Sequence, residues 1–385
     1  MATASASPDL ILIDPAFWRG MRVFLTGHTG FIGAWTAFWL AEMGAEVTGF
    51  SLEPPTTPSM FEALDLAGLL ACHIEADIRD LPAVQAAVKA ACPEIALHLA
   101  AQPLVRYAHS EPVETFATKC QGTVHVLDSL RPFADTLDAV VCYTTDLVYV
   151  NREWVWGYRE SDPLGGKEPY GASKAATEHV ISAYANAYFQ TAAGASRVAV
   201  LRAGNVIGGG DWAADRIVPD AIRAFAVGEP LTVRSPQAVR PWQHVLEPVR
   251  ASLSLAQAVS SNPTRASGAW NIGPSTDQNV PVRQIVEGMV RRWGGSASWD
   301  HPPQSGQPYE QTLLAVDSAK ARAKLGWSPA LTLDQALDLT VNWYKTQQKG
   351  ADSATLRTLT RMQIAMAAPE VEHALSAFEE TIQAS

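Results

Sequence analysis

Along most of this chain, short continuous apolar runs stand between longer stretches whose apolar positions recur with helical spacing. Continuous runs are the mark of strands buried on both faces, and the periodic stretches are the mark of helices packed on them. Arg22–Thr26, Val47–Leu52, Cys72–Glu75, Ile95–Ala101, Ala139–Thr144, Arg197–Arg202 and Trp270–Gly273 read as strands. The stretch from Gly33 through Met43, then Pro112–Leu130, Tyr170–Phe189, residues 246–260, Val282–Trp293, Leu331–Lys345 and Thr355–Thr381 read as helices. Strands alternating with helices of this length predict an α/β fold with a Rossmann-type doubly wound parallel sheet, whose ligands lie outside the carboxyl ends of its strands.

The first turn of that pattern carries chemistry. Gly27-His28-Thr29-Gly30-Phe31-Ile32-Gly33 joins the first strand to the first helix, with the spacing GxxGxxG. Glycines there let the backbone approach a pyrophosphate, whose charge sits at the helix N-terminus, so the unit is expected to bind a dinucleotide. A glycine-rich turn without a ligand is the competing reading of the motif taken alone. Ser51, in the second strand, stands where NAD-preferring enzymes place a carboxylate, so this stretch admits NADP as well as NAD. Asp77-Ile78 is placed to meet an adenine edge, or else is a solvated turn. Leu99-Ala100-Ala101 would let the backbone pass beneath a nicotinamide ribose, with Gln102 beside it on the substrate side.

The second centre lies between residues 144 and 174. Thr144-Thr145-Asp146 closes a strand, and Tyr170-Gly171-Ala172-Ser173-Lys174 opens a helix. Tyr170 and Lys174, four apart, project from one helix face, and an ammonium beside a phenol favours phenolate. Tyr170 is thus expected to take a proton from a sugar hydroxyl near neutral pH, with Thr144 or Thr145 sharing that hydroxyl. The aromatic loop Asn151–Glu160 reads equally as a sugar platform or as a packed lid. Past Gly204 the composition changes. Asn205 falls where a pocket rim is expected, and Arg234, Arg240 and His244 on short extended pieces suit a diphosphate group.

A weakly ordered lead-in over 1–18 and a dinucleotide-binding domain over 19–205 are therefore expected, with segments near 240–270 returning to that domain. A substrate lobe over 206–345 and a helical tail over 346–385 complete the expectation. The net charge of −10 argues against nucleic acid or an anionic membrane as partner. Cys72, Cys92, Cys120 and Cys142 show no metal-ligand spacing, so no metal is expected and reduced, buried thiols are. Met1–Trp18, with Asp9, Asp14 and two prolines, lacks the basic-then-apolar order of an export signal, which predicts a cytoplasmic protein.

With GHTGFIG, TTDLVY, YGASK and RAGNVIGGGDW in view, the chain resembles the extended short-chain dehydrogenase/reductases that act on nucleotide sugars, and among them the CDP-glucose 4,6-dehydratases. The likeness runs from about Phe17 to about Tyr344 and includes Asn151–Tyr158 and Arg240–Pro248. It implies a bound NAD that is reduced and reoxidised within one turnover, a CDP-hexose as substrate, and a homodimer or homotetramer. It also implies a reaction order. The sugar is oxidised at C4 with Tyr170 taking the hydroxyl proton, the C5 proton is removed, water leaves from C6 with help from an acid, and the hydrogen returns to C6. Asp146 is the expected acid. The residue after it, Lys or Glu in the relatives, is the expected base at C5. Here it is Leu147, which exchanges no proton, so Glu153, Tyr149 or a water held by Asp146 must substitute. Ile32, Lys119 and Val150 depart from the family pattern as well. Dropping elimination gives a C4-epimerase or a 4-ketoreductase as the alternative, and a nucleotide-sugar-binding protein with little activity as the third.

Overall fold

The structure is a computed structural model and describes residues 12–302 and 312–369. Seven strands, β1 (Arg22–Thr26), β2 (Glu46–Ser51), β3 (Cys72–Glu75), β4 (Ile95–His98), β5 (Ala139–Thr144), β6 (Val198–Ala203) and β7 (Gly268–Ile272), form one sheet. They run in the order β7-β6-β5-β4-β1-β2-β3, and every neighbouring pair is parallel. The central strands β5 and β6 are buried at all positions, as continuous apolar runs require when helices cover both faces. One face carries the helices Phe31–Glu42 and Leu246–Ser261, with Trp35, Phe38, Leu253 and Leu255 in a common core. The other carries Leu81–Ala91, Gly122–Leu130 and Pro169–Tyr188 over Val84, Val126, Leu130 and Ile181.

The chain reverses direction across the sheet between β1 and β4, so a crevice opens at their carboxyl ends. Beyond β6, small ladders pair Val206–Ile207 with Gln243–His244 and Val239–Pro241 with Asn279–Pro281. A third pairs Leu231–Thr232 with Trp299–Asp300.

Three expectations need correction. The lead-in is docked where it is described: Asp14 caps a helical turn at Pro15–Trp18, and the Trp18 side chain lies fully within the core. The helix expected over Pro112–Leu130 is interrupted by a π-turn at Ala117–Gln121. Of the thiols expected to be buried, Cys72 and Cys92 are exposed. The helix expected from Thr355 runs over Ser353–Ala367, and the part of that expectation beyond 369 lies outside the described residues. Among the described residues no helix is long and apolar enough to cross a membrane.

Candidate active site

The site is built on the carboxyl end of β5. Thr145 caps the short turn Asp146–Val148: its Oγ1 accepts from the Leu147 N–H at 3.3 Å and donates to Asp146 Oδ1 at 2.9 Å. The backbone after β6 presses on this turn. A Cβ added to Gly204 would fall 1.8 Å from Asp146 Oδ2, so only glycine leaves room for the carboxyl group. Asp146 is 2% exposed, and its Oδ2 meets no partner among the described residues. Burial raises its pKa against the opposing pull of the Thr145 hydroxyl and Arg240, so it keeps its proton to higher pH than an ordinary carboxyl.

The helix Pro169–Tyr188 begins on top of that turn. Glu168 caps it, its carboxylate accepting from the N–H groups of Tyr170 and Gly171 at 2.6 Å each. Gly171 admits the close approach, since a Cβ there would stand 2.8 Å from the Leu147 carbonyl oxygen. Tyr170 is thereby seated beside Thr145, whose hydroxyl is near enough to pull the phenol's pKa down. Lys174 follows one turn later and Glu178 a further turn on, all on one face.

The pairing of Tyr170 with Lys174 works differently from the expectation. Lys174 Nζ donates to the Tyr143 carbonyl at 3.2 Å, and burial, opposed by Glu178, pushes its pKa down to about 8. Tyr170 is pushed up to about 12, because burial outweighs the pull of Arg216 and the Thr145 hydrogen bond. In this structure burial favours the phenol, and the Lys174 ammonium is turned toward the Tyr143 carbonyl. Thr144 is also committed elsewhere: its hydroxyl donates to Glu178 Oε1 at 2.7 Å, which leaves Thr145 as the hydroxyl beside Tyr170.

Glu178 anchors a buried polar network behind the site. Arg202 grips both of its oxygens and donates to the Tyr149 hydroxyl at 2.7 Å, while that hydroxyl donates to Asn271 Oδ1 at 2.6 Å. Tyr149, expected as one possible base at C5, is held as a phenol by burial, with its hydroxyl proton engaged by Asn271. Glu153, another, has its carboxylate turned to the Thr312 N–H at 2.6 Å. Part of the aromatic loop is packed: Trp154 stacks on Tyr158 and Tyr158 on Tyr149, Leu147 packs against the same cluster, and Trp156 is exposed.

The glycine turn lies at the switch point. Gly27 has φ +79, and a Cβ there would meet the Ala100 backbone nitrogen at 2.7 Å; one on Gly33 would lie 2.0 Å from the Gly27 carbonyl oxygen. The chain at Leu99-Ala100-Ala101 thus runs directly against the turn, and the N–H groups of Leu99 and Ala100 donate to Thr26 Oγ1. The helix starting at Phe31 has Gly30 as N-cap and no side-chain cap, so its first N–H groups suit an anion. This donor set fits a dinucleotide pyrophosphate. Ile32, like Phe31, is half-buried against the core. Thr29 Oγ1 and Ser51 Oγ hold each other at 2.7 Å at the end of β2.

Other predicted residues are placed in supporting positions. His28 is fully buried, bonded to His73 Nδ1 at 2.7 Å and fitted against Gly49, and burial lowers its pKa to about 3, so its ring braces the turn from below. Both Asp77 oxygens are taken by Arg79, and Ile78 packs into the space left by Gly122. Gln102 closes its own loop with Leu104 and Thr115. His244, expected among the substrate-binding residues, is a core residue: it is 1% exposed, lies against Trp35, and is kept neutral by burial. Asn205, with φ +43, accepts from the Gln243 N–H. Arg234 pairs with Asp215 at 3.1 Å, and Arg240 donates to the Val239 carbonyl while its charge reaches Asp146. Arg216, whose charge reaches Tyr170 while its guanidinium pairs with Asp211 at 2.9 Å, carries no local sequence signal. Glu178 had one, in its i, i+4, i+8 spacing with Lys174 and Tyr170.

Residues 23–273 match the NAD dependent epimerase/dehydratase family. The chain is 44% identical to a CDP-glucose 4,6-dehydratase of Salmonella typhimurium over 344 residues, covering 89% of this chain and 95% of that protein. It is 26% identical to a dTDP-glucose 4,6-dehydratase of Xanthomonas campestris, covering 84% and 93%. Among solved structures it is similar in fold to a UDP-glucose 4-epimerase of Thermotoga maritima (TM-score 0.70, 23% identity, 85% and 99% covered). A dTDP-glucose 4,6-dehydratase of Bacillus anthracis in complex with NAD gives a TM-score of 0.67 at 19% identity, with 86% and 98% covered. On its own fold, its glycine turn and this span of likeness, the chain belongs to the NAD dependent epimerase/dehydratase family.

Proposed function

We propose that this protein is a nucleotide-sugar 4,6-dehydratase that converts CDP-glucose to its 4-keto-6-deoxy product. The observation that carries the reading is the convergence of Tyr170, Thr145 and Asp146 at the end of β5, in a chain that follows a CDP-glucose 4,6-dehydratase over 89% of its length. NAD, bound over the Gly27–Gly33 turn, supplies the acceptor for the C4 hydrogen and afterwards its donor to C6. Tyr170, acting as its phenolate, takes the C4 hydroxyl proton while Thr145 orients that hydroxyl. The resulting ketone acidifies C5. Asp146, whose burial favours its protonated form, gives its proton to the departing C6 hydroxyl. With Tyr149 and Glu153 engaged elsewhere, a water held at Asp146 Oδ2 relays the C5 proton to that carboxylate, replacing the proton it gives to the departing hydroxyl. Arg234 and Arg240 flank the lobe side and suit the diphosphate.

Incubation with CDP-glucose and NAD should give a product lighter than substrate by one water, with the ultraviolet absorbance of a 4-keto sugar in alkali. No such product at any pH would overturn the reading. Leu147 favours a second one, C4 epimerisation, because an aliphatic side chain beside C5 and C6 suppresses elimination; its product has the substrate's mass. The two are separated by Leu147→Lys. Restoring a titratable group should raise dehydration about tenfold or more, within the range of a positioned base. A fall in rate would mean that Leu147 packs against the sugar.

A further inference from the structure

Arg106, Asp215 and Arg234 come from three separate segments and meet at one atom. Arg106 sits on the helix Val105–Ser110, just past β4 and Gln102. Asp215 lies in the loop that leads into the helix Ile217–Val227, and Arg234 just after the short strand Leu231–Thr232. Arg234 Nη1 donates to Asp215 Oδ1 at 3.1 Å, and Arg106 Nη1 stands 3.5 Å from that same oxygen. Arg216, next in the chain to Asp215, is the residue whose charge reaches Tyr170, so this cluster lies at the edge of the catalytic cleft.

The other acids of this stretch are each held by one arginine, Asp211 by Arg216 and Asp220 by Arg223, whereas Asp215 is shared by two. The shared cluster is loosely held. The side chains of Arg106, Asp215 and Arg234 are 43%, 42% and 30% exposed, and ion pairs so open to water contribute little to stability. Two guanidinium groups converging on one oxygen is also how a phosphate is gripped, and a phosphate brings more charge and more acceptor oxygens than a carboxylate.

We propose that Arg106 joins Arg234 in a two-arginine site for the diphosphate of the nucleotide sugar, and that the Asp215 carboxylate is its resident stand-in, displaced when the substrate arrives. The inference deepens the proposed function, which assigns Arg234 to the diphosphate, and rests on it for the identity of the substrate. It adds Arg106, from the segment after β4, as a second ligand, and Asp215 as a built-in competitor. A ligand takes the site only when its anionic group displaces the carboxylate, which favours a diphosphate over a neutral or singly charged sugar.

Asp215→Asn removes the competing charge and keeps the side chain's shape, and asparagine tolerates the φ of +60 found there. In the NAD-loaded protein at low salt, CDP-glucose followed by calorimetry should bind this variant about three- to tenfold tighter, the effect of one partly screened charge. The gain should shrink as salt is added. Asp220→Asn removes a nearby charge that Arg223 holds instead, and should gain less. Arg106→Gln should bind about tenfold more weakly or worse, as for the loss of one charged hydrogen bond, with the defect in KM rather than in kcat. Unchanged affinity in Asp215→Asn, or an equal gain in Asp220→Asn, would overturn the competitor, and unchanged affinity in Arg106→Gln would overturn the site. Inorganic pyrophosphate, titrated in parallel, should rank the variants in the same order. If it does so while CDP-glucose fails to bind or to react, the two-arginine site stands and the reading of the substrate falls instead.

Discussion

Replacing Tyr170 by Phe abolishes proton transfer while leaving the ring in place, and C4 oxidation of CDP-glucose should fall by about 10²–10⁴-fold, the range for loss of a positioned acid-base group. The structure makes this residue irreplaceable for a geometric reason. Thr144 donates to Glu178 and Tyr149 to Asn271, so neither stands ready to take the proton in its stead. Thr145 meets the phenol but, as a hydroxyl paired with Asp146, has no means of becoming a base. Binding of nucleotide sugar, followed by calorimetry, should change little. Single-turnover absorbance of reduced nicotinamide is the direct measure, and a rate within threefold of the unaltered enzyme, roughly the scatter expected of a neutral change, would remove Tyr170 from the reaction.

Asp146→Asn should separate the two halves of the chemistry. The amide fits the space that Gly204 leaves and can still accept from Thr145, but it has no proton to give. Oxidation at C4 should survive, and loss of water from C6 should slow by about 10²–10⁴-fold. In a single turnover the reduced nicotinamide signal then persists instead of passing through a maximum, and the dehydrated product appears late. The pH dependence carries the same information. Burial raises the Asp146 pKa, so the unaltered enzyme should lose elimination as pH rises through that raised pKa, and the variant should lack this limb. Equal loss of oxidation and elimination in Asp146→Asn would show instead that the carboxyl group positions the sugar.

The tolerance of the site to these substitutions comes from what lies behind it. The Arg202–Glu178 pair is buried and fully bonded, with Thr144, Tyr149 and Asn271 completing it, and it ties β5, β6, β7 and the helix of Tyr170 together. Breaking such a pair by removing one partner typically costs about 3–5 kcal/mol, because the other charge is left buried and alone. Changes at Tyr170 or Asp146 leave this frame standing.

The alternation of apolar runs and periodic stretches was enough to determine the parallel sheet, because strands buried on both faces must be apolar throughout. The glycine turn and the Tyr170–Lys174 spacing are local as well: a backbone that must touch Ala100 cannot carry a Cβ at Gly27, and residues four apart on a helix share a face. What each side chain meets across the fold was beyond any such rule. His28 and His244 look like ligand contacts in the chain, and burial against Gly49 and Trp35 makes them neutral core groups. Lys119 looks like a stray departure, and only the π-turn sets its amine on the Tyr170 ring. The charge state of Tyr170 was decided there too, because desolvation, Arg216 from another segment and the turning of Lys174 toward Tyr143 are properties of the packed interior and of no stretch of sequence.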